Sequence, residues 1–372
     1  MAGSLRKEGN TWYYVLEHTE NGKRKQIKKR GFKTKKDAQK ALVEAQSALN
    51  SGTYVKPSKL SVSDYLIEWM NDKQHSIGRE TAKNHITSIK NHIIPLIGEI
   101  PLSKLTALDI QKLTTSLYER GLASSTIKRT FNIINTALNK AEKMQLITKN
   151  VAALVDKPKV RRKELQVWEI YEIQRFLEVA QKSRYYLAFH LAIMAGMRQG
   201  EILGLRWQDV DYESRKIYIR QTLSHDGKEL KSGAKTALGV RSVTVDAQTI
   251  EYLRRQSRII ENEKRLSKGV YTDKGLVVST STGNQLIPRN LMREYKLLLE
   301  RAEVRKITFH DLRHTHASLL LKQNVHPKIV SERLGHSSTQ LTMDIYSHLM
   351  PNMQKEAADN LADLVLGEVR KY

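Results

Sequence analysis

The sequence predicts a multidomain chain, mainly α with small β-sheets: an N-terminal β-hairpin or three-stranded sheet plus helix, a helical bundle, and a mixed α+β domain. Three observations predict it. At 372 residues the chain is longer than one hydrophobic core serves. Apolar residues follow a strand period near the N-terminus, a helix period from about residue 60, and a mixture of the two from about residue 166. Stretches rich in charge, Gly and Pro separate these regions.

Residues 1–57 form the first region, with 13 Lys/Arg against 5 Asp/Glu. "NTWYYVLEH" reads as a strand, Asn21-Gly22 as a tight hairpin turn, and "KRKQIKKRGF" as the returning strand. Thr34 and Asp37 have the spacing of a capping box, opening a helix that stops at Gly52 and covers the sheet. The returning strand carries Arg24, Lys25, Lys28, Lys29 and Arg30, a basic array suited to reading a nucleic-acid groove.

Residues 58–152 carry four segments with apolar residues at three- and four-residue spacing, beginning near Ser61, Arg79, Ala107 and Ser124, which predicts a bundle of four or five helices. A charged strap at 153–165 follows. In 166–372, helices surround a short β region: "RKIYIRQTL" and "RSVTVD" read as strands, with "LVVST" as a third. Near its start "IMAGMRQGEILGL" ends an apolar helix at Gly196 and opens another, with Arg198 at the turn and Glu201 one turn inside. A guanidinium beside a helix N-terminus is placed to hold an anionic oxygen, or to pair with Glu201. "TFHDLRHTHAS" sets His310 and Arg313 three residues apart on one helix face.

The charge balance narrows the partner. Lys plus Arg number 63 against 39 Asp plus Glu, giving +24 spread along the chain, which favours a polyanion such as duplex DNA. With no cysteine, disulfides, thiolate zinc and iron–sulfur clusters are excluded, and a reducing cytoplasm fits. The N-terminus lacks a signal-peptide apolar run and no stretch spans a membrane, so a soluble intracellular protein is expected, bacterial and nucleoid-associated. No phosphate-cradling G-x-x-x-x-G-K-[ST] loop occurs.

Arg198 in "AGMRQGE", His310 and Arg313 in "HDLRH", "LGHSS" at 334–338 and Tyr346 in "MDIYSH" resemble, in order and spacing, the signature of tyrosine site-specific recombinases, the phage integrase family. The basic sheet and the bundle resemble the arm-binding and core-binding domains of integrases from temperate phages and conjugative transposons. The resemblance implies a tyrosine recombinase catalytic domain at 166–372, ending in a tail helix. It implies strand exchange between core-type and arm-type sites by a tetramer on DNA, integrating and excising a mobile element. A 3′-phosphotyrosyl intermediate stores the bond energy, so no nucleotide cofactor is needed, and two arginines do the charge work of a metal. It further implies a tail docking on a neighbouring subunit, an excisionase and a host DNA-bending protein.

Residue roles follow from the same resemblance. Tyr346 is the nucleophile; Arg198 and Arg313 clamp the non-bridging oxygens; His310 accepts the tyrosine proton; His336 donates to the phosphate; Glu201 orients an arginine or histidine. Lys235, in "AKTALGVRSV", matches the family's general acid better than Lys231. The energetics favour such an acid. Ionising a phenol of pKa ~10 at pH 7 costs roughly 4 kcal/mol, whereas expelling a bare alkoxide costs roughly 12 kcal/mol.

Rival readings remain at this level. A metal-dependent nuclease would use Asp209, Asp211 and Glu213 with His314 and His316. A type IB topoisomerase shares the chemistry, and a non-catalytic DNA-binding regulator explains the charge alone.

Overall fold

The computed structural model describes residues 3–20, 23–50, 59–160, 165–232, 241–267 and 269–335, with positions 343, 358–359, 361–362 and 365 near the C-terminus. The chain divides into two compact units, residues 1–162 and 163–372. The class is the expected one, mainly helical with small antiparallel sheets.

In the first unit, β1 (Gly3–Glu8), β2 (Thr11–Glu20) and β3 (Lys23–Phe32) form an antiparallel sheet in that order, and α1 (Lys35–Asn50) follows. The edge strand β1 is the element that the sequence segments leave unnamed. Leu16 pairs with Ile27 and Tyr14 with Lys29, so this face meets Leu42 and Ala45 of α1 and makes a small apolar core. Side chains alternate across a strand, and Arg24 and Lys28 therefore lie on the opposite, open face. Gly31, at φ 94°, occupies a bulge in β3, where the register against β2 shifts. Thr34 caps α1, accepting from the Asp37 amide at 3.1 Å while its hydroxyl donates to the Asp37 carboxylate at 2.7 Å.

A second core in this unit is built by α2 (Val62–Lys73), α3 (Arg79–Ser88), α4 (Ile94–Ile97), α5 (Ala107–Glu119) and α6 (Ser124–Lys143). Between α3 and α4 the chain widens into a π turn, Ile89–Ile93, where the Ile94 amide donates to the Ile89 carbonyl. The wide turn accommodates Pro95, which has no N–H and would clash in a regular helix interior. Asn150 is buried, its amide donating to the Asn135 and Asn139 side chains at 2.8 Å each, and it ties the segment after α6 back to that helix.

The second unit opens with α7 (Ile170–Ala180), α8 (Tyr186–Met194) and α9 (Gln199–Gly204). Helix α8 is buried continuously from Leu187 to Ile193, the pattern of a central helix. Around it lie β4 (Val210–Asp211), β5 (Lys216–Ile219), β6 (Gln221–Leu223), β7 (Leu230–Ser232), β8 (Arg241–Thr244), α10 (Ala247–Leu266), α11 (Pro288–Ala302), α12 (Phe309–Lys322) and α13 (Pro327–Leu334). One sheet has the order β4-β5-β8 and β6 pairs with β7. The "LVVST" segment makes only isolated bridges, Arg206 with Leu276 and Ser279 with Gln285. Its apolar run is buried because Val277 and Val278 fill the core, a role that needs no ladder. Phe176, Phe189, Tyr295 and Phe309 interlock at centroid distances of 5.5–6.2 Å and fix α7, α8, α11 and α12 to one another. Thr308 and Asp311 form the capping box that starts α12.

Candidate active site

Three helix ends and the first residue of β8 converge. Helix α8 stops at Gly196, at φ 63°, whose carbonyl accepts a 2.6 Å bond from Arg313 Nη1. A Cβ at this glycine would stand 2.6 Å from His316 Cδ2 and 2.7 Å from Leu334 Cδ2, so no other residue fits. Two residues on, Arg198 is the N-cap of α9. Its amide donates to Glu201 Oε2 and its Nη1 to Glu201 Oε1, both at 2.8 Å. Arg241, at the start of β8, donates Nη1 and Nη2 to the same two oxygens at 2.9 and 2.8 Å. Burial alone would push the Glu201 carboxyl up, but the bonds and charge of Arg241, and then of Arg198, hold it below the usual carboxylate range.

The C-terminus of α13 closes the cluster. Gly335 takes a left-handed conformation there (φ 63°, ψ 50°) and turns the last carbonyls outward. Three consecutive carbonyls each accept from a different arginine: Arg333 O from Arg241 Nε at 3.0 Å, Leu334 O from Arg313 Nη2, and Gly335 O from Arg198 Nη2 at 3.1 Å. The negative end of a helix dipole thus offsets the repulsion among three cations. Arg313 is 2% exposed, whereas the Arg198 side chain is 40% exposed and is the member open to solvent. Burial and then Arg198 push the Arg313 guanidinium down to about 9, against the pull of Glu201, which leaves it cationic at neutral pH.

His310 presents an exposed surface on α12, and its ring meets His314 edge-on at 4.9 Å. Partial loss of water, then His314, Arg313 and Arg198, lower its pKa, so the imidazole is neutral near pH 7 and can accept a proton. His316 is buried: its Nδ1 donates to Ile193 O at 2.8 Å and its Nε2 accepts from Arg333 Nε at 3.0 Å. Burial and then Arg333 push it down to about 4.

Of the residues singled out in the sequence, Arg198, Glu201 and Arg313 meet through the end of α13, with His310 on the same helix as Arg313. His310 and Arg313 differ in burial, because a three-residue step rotates the side chain from the open side of α12 into the core. Lys235, His336 and Tyr346 lie outside the described residues. Lys231, in β7, is exposed at 4.0 Å from Glu229. Arg24, Lys25, Lys28, Lys29 and Arg30 are all exposed on β3. Lys28 Nζ sits 4.3 Å and Arg30 Cζ 5.7 Å from the Tyr13 ring centroid, while Lys29 lies on the α1 side near Phe32. The structure adds Arg241, visible in the sequence only as the arginine after the Lys235 loop, and Arg333. Two of the three acids of the nuclease reading, Asp209 and Asp211, are otherwise engaged. Asp209 is held by Arg206 and Arg220, and Asp211 caps its own turn through Glu213 N and Ser214 N.

This arrangement, a buried carboxylate saturated by arginines with one guanidinium facing solvent, can hold a tetrahedral oxyanion. Comparison with known proteins gives the chemistry its context. Residues 163–353 match the model of the phage integrase family, residues 4–49 that of an arm DNA-binding domain, and residues 61–118 that of the phage integrase N-terminal SAM-like domain. A tyrosine recombinase XerC-like protein of Caldanaerobacter subterraneus subsp. tengcongensis is 30% identical, over 97% of this chain and 98% of its own. The fold is similar to that of the Tn1549 transposon integrase solved with transposon right-end DNA, at TM-score 0.70 and 19% identity, over 81% of this chain and 99% of that one. It is also similar to that of lambda integrase solved as a tetramer on a Holliday junction, at TM-score 0.61 and 21% identity, over 92% and 94% of the two chains. The chain belongs to the phage integrase family, the tyrosine recombinases that break and rejoin DNA at specific sites.

Proposed function

We propose that this chain integrates and excises a mobile element by cutting DNA with Tyr346. The phenolic oxygen attacks phosphorus, its proton passing to neutral His310. The bond to the 5′ oxygen breaks as Lys235 supplies a proton, leaving a 3′-phosphotyrosyl link and a free 5′ hydroxyl. Rejoining runs the same steps backward with the 5′ hydroxyl of another strand, so bond energy is conserved. Arg198, open to solvent, takes one non-bridging oxygen. Arg313 stands behind it and takes the second oxygen with the N–H groups that Gly196 O and Leu334 O leave over. His336 completes the phosphate contacts and Glu201 orients Arg198.

The observation that carries this reading is the convergence of Arg198, Arg241 and Arg313, from three separate elements, on Glu201 and the last carbonyls of α13. An arginine cluster in a weakly hydrated site stabilises a pentacoordinate phosphorus without a metal ion. Double-stranded DNA is the partner, and the match of residues 4–49 to an arm DNA-binding domain supports an integrase over a type IB topoisomerase or a non-catalytic regulator. We read residues 1–57 as the arm-binding domain, 58–152 as core-binding, 153–165 as linker and 166–372 as catalytic. The tetramer, the tail docking in trans, the excisionase, the DNA-bending protein and the cytoplasmic, nucleoid-associated location belong to the same proposal.

The test is direct. Full-length protein is incubated with fragmented DNA carrying the element's circular junction, covalent complexes are trapped with detergent, and the attached 3′ ends are sequenced. Wild-type protein should give adducts at one position per strand, unaffected by EDTA, and Tyr346→Phe none. Adducts that persist in Tyr346→Phe, or that vanish with EDTA, overturn the assignment.

A further inference from the structure

A second arginine stands behind the one that faces solvent, and its partners define a task different from contact with DNA. The Arg241 side chain is only 8% exposed, against 40% for Arg198. Both terminal nitrogens of Arg241 are committed to Glu201 and its Nε to the Arg333 carbonyl. Glu201 is equally committed. A carboxylate offers about four acceptor positions, and here two are filled by Arg198 and two by Arg241.

The sharing has an electrostatic consequence. Were Arg198 the sole partner of Glu201, the buried carboxylate would draw a second guanidinium N–H inward and cancel the positive field that a phosphate requires. With Arg241 holding the far side of the carboxylate, the trio keeps one net positive charge. Only one N–H of the Arg198 guanidinium is then spent on Glu201. The remaining edge keeps its direction toward Gly335 O and solvent. Gly335 belongs to the same device, since a Cβ there would stand 2.8 Å from Arg241 Cδ and 2.9 Å from its Nη1.

We propose that Arg241 is a positioning residue for the phosphoryl-transfer step: by bridging Glu201 to the end of α13, it aims the Arg198 guanidinium at the scissile phosphate without touching DNA itself. This rests on the assignment of Arg198 to the phosphate. The side chain thereby acts on the transition state through a carboxylate, at one remove from the substrate.

The experiment uses the full chain and a duplex carrying the cleavage site mapped from the trapped adducts. Wild type, Arg241→Met and Arg241→Lys are compared on a normal scissile phosphate and on a methylphosphonate, in which one charged non-bridging oxygen is replaced by a methyl group. The expected result for Arg241→Met is cleavage slowed about 10²-fold on the phosphate, the scale of losing one preorganised donor. Its Kd for the duplex should stay within about threefold, since binding is dominated by other phosphates. On the methylphosphonate, where less charge develops, the deficit should shrink below about tenfold. Arg241→Lys keeps a cation but not the two-point grip, and should fall between the two.

Unchanged cleavage in Arg241→Met overturns the inference. So does a deficit of equal size on both linkages, which marks a merely structural residue. If Arg241→Met fails to fold, the same linkage comparison in Arg241→Lys decides. Wild-type protein that forms no adduct sinks the recombinase chemistry itself, an outcome separate from any result with Arg241.

Discussion

The protein holds its cations in two contrasting ways. On β3, Lys28 and Arg30 lie over the Tyr13 ring in solvent, and Arg30 meets Glu8 in an exposed pair at 3.4 Å. In the second unit, Arg241 and Arg313 are buried, with guanidinium nitrogens assigned to carbonyls or to Glu201. Under the proposed function the difference separates two tasks. Exposed cations on flexible stems add affinity, tolerate substitution and weaken with salt. Buried guanidiniums locked by backbone carbonyls contribute direction, and salt hardly reaches them.

The largest effect that could break this contrast is at Arg198. Replacing it by Ala should slow adduct formation by about 10³-fold while leaving duplex affinity nearly intact. Equal losses in rate and affinity would erase the distinction. Next comes Glu201→Gln, which leaves Arg198 and Arg241 facing a neutral amide. Removing one member of a buried ion pair costs about 4 kcal/mol, to be read as a lower denaturant midpoint at pH 7.

A third measurement sharpens the comparison through pH. His316 titrates at about 4 in the folded protein because burial and Arg333 disfavour its cation, against about 6.5 unfolded. The folded-state value is depressed, so this contribution is fully present above pH 6.5 and is lost as pH falls toward 4. The loss amounts to about 3 kcal/mol over that window. His316→Gln should flatten that slope, and an unchanged slope would show that the ring does not titrate as its partners require. The smallest expected effect is on the sheet. Lys28→Ala should reduce the slope of log affinity for arm-site DNA against log salt by about 1 and leave cleavage at the core site unaltered.

Much of this was legible in the sequence because helix and strand periods are local signals. The four bundle segments fell where Leu, Ile and Trp recur at three and four residues, and the Thr34, Thr106 and Thr308 caps sit three residues before an aspartate. The "LVVST" run misled because an apolar string can be buried by packing alone, while the third strand of its sheet is the two-residue Val210–Asp211. The site was legible as separate boxes, yet Arg241 gained its meaning only from Glu201, 40 residues earlier. The grip of three arginines on three successive carbonyls could not be read at all, since backbone acceptors leave no mark in side-chain identity.

The end of α13 has one more consequence. With the carbonyls of Arg333, Leu334 and Gly335 occupied by the side chains of Arg241, Arg313 and Arg198, the end of the helix is pinned by side chains as well as by the left-handed turn at Gly335. Gly335 is therefore a fixed stop. One residue added within α13 would rotate the stop by about 100° and dismantle all three contacts together.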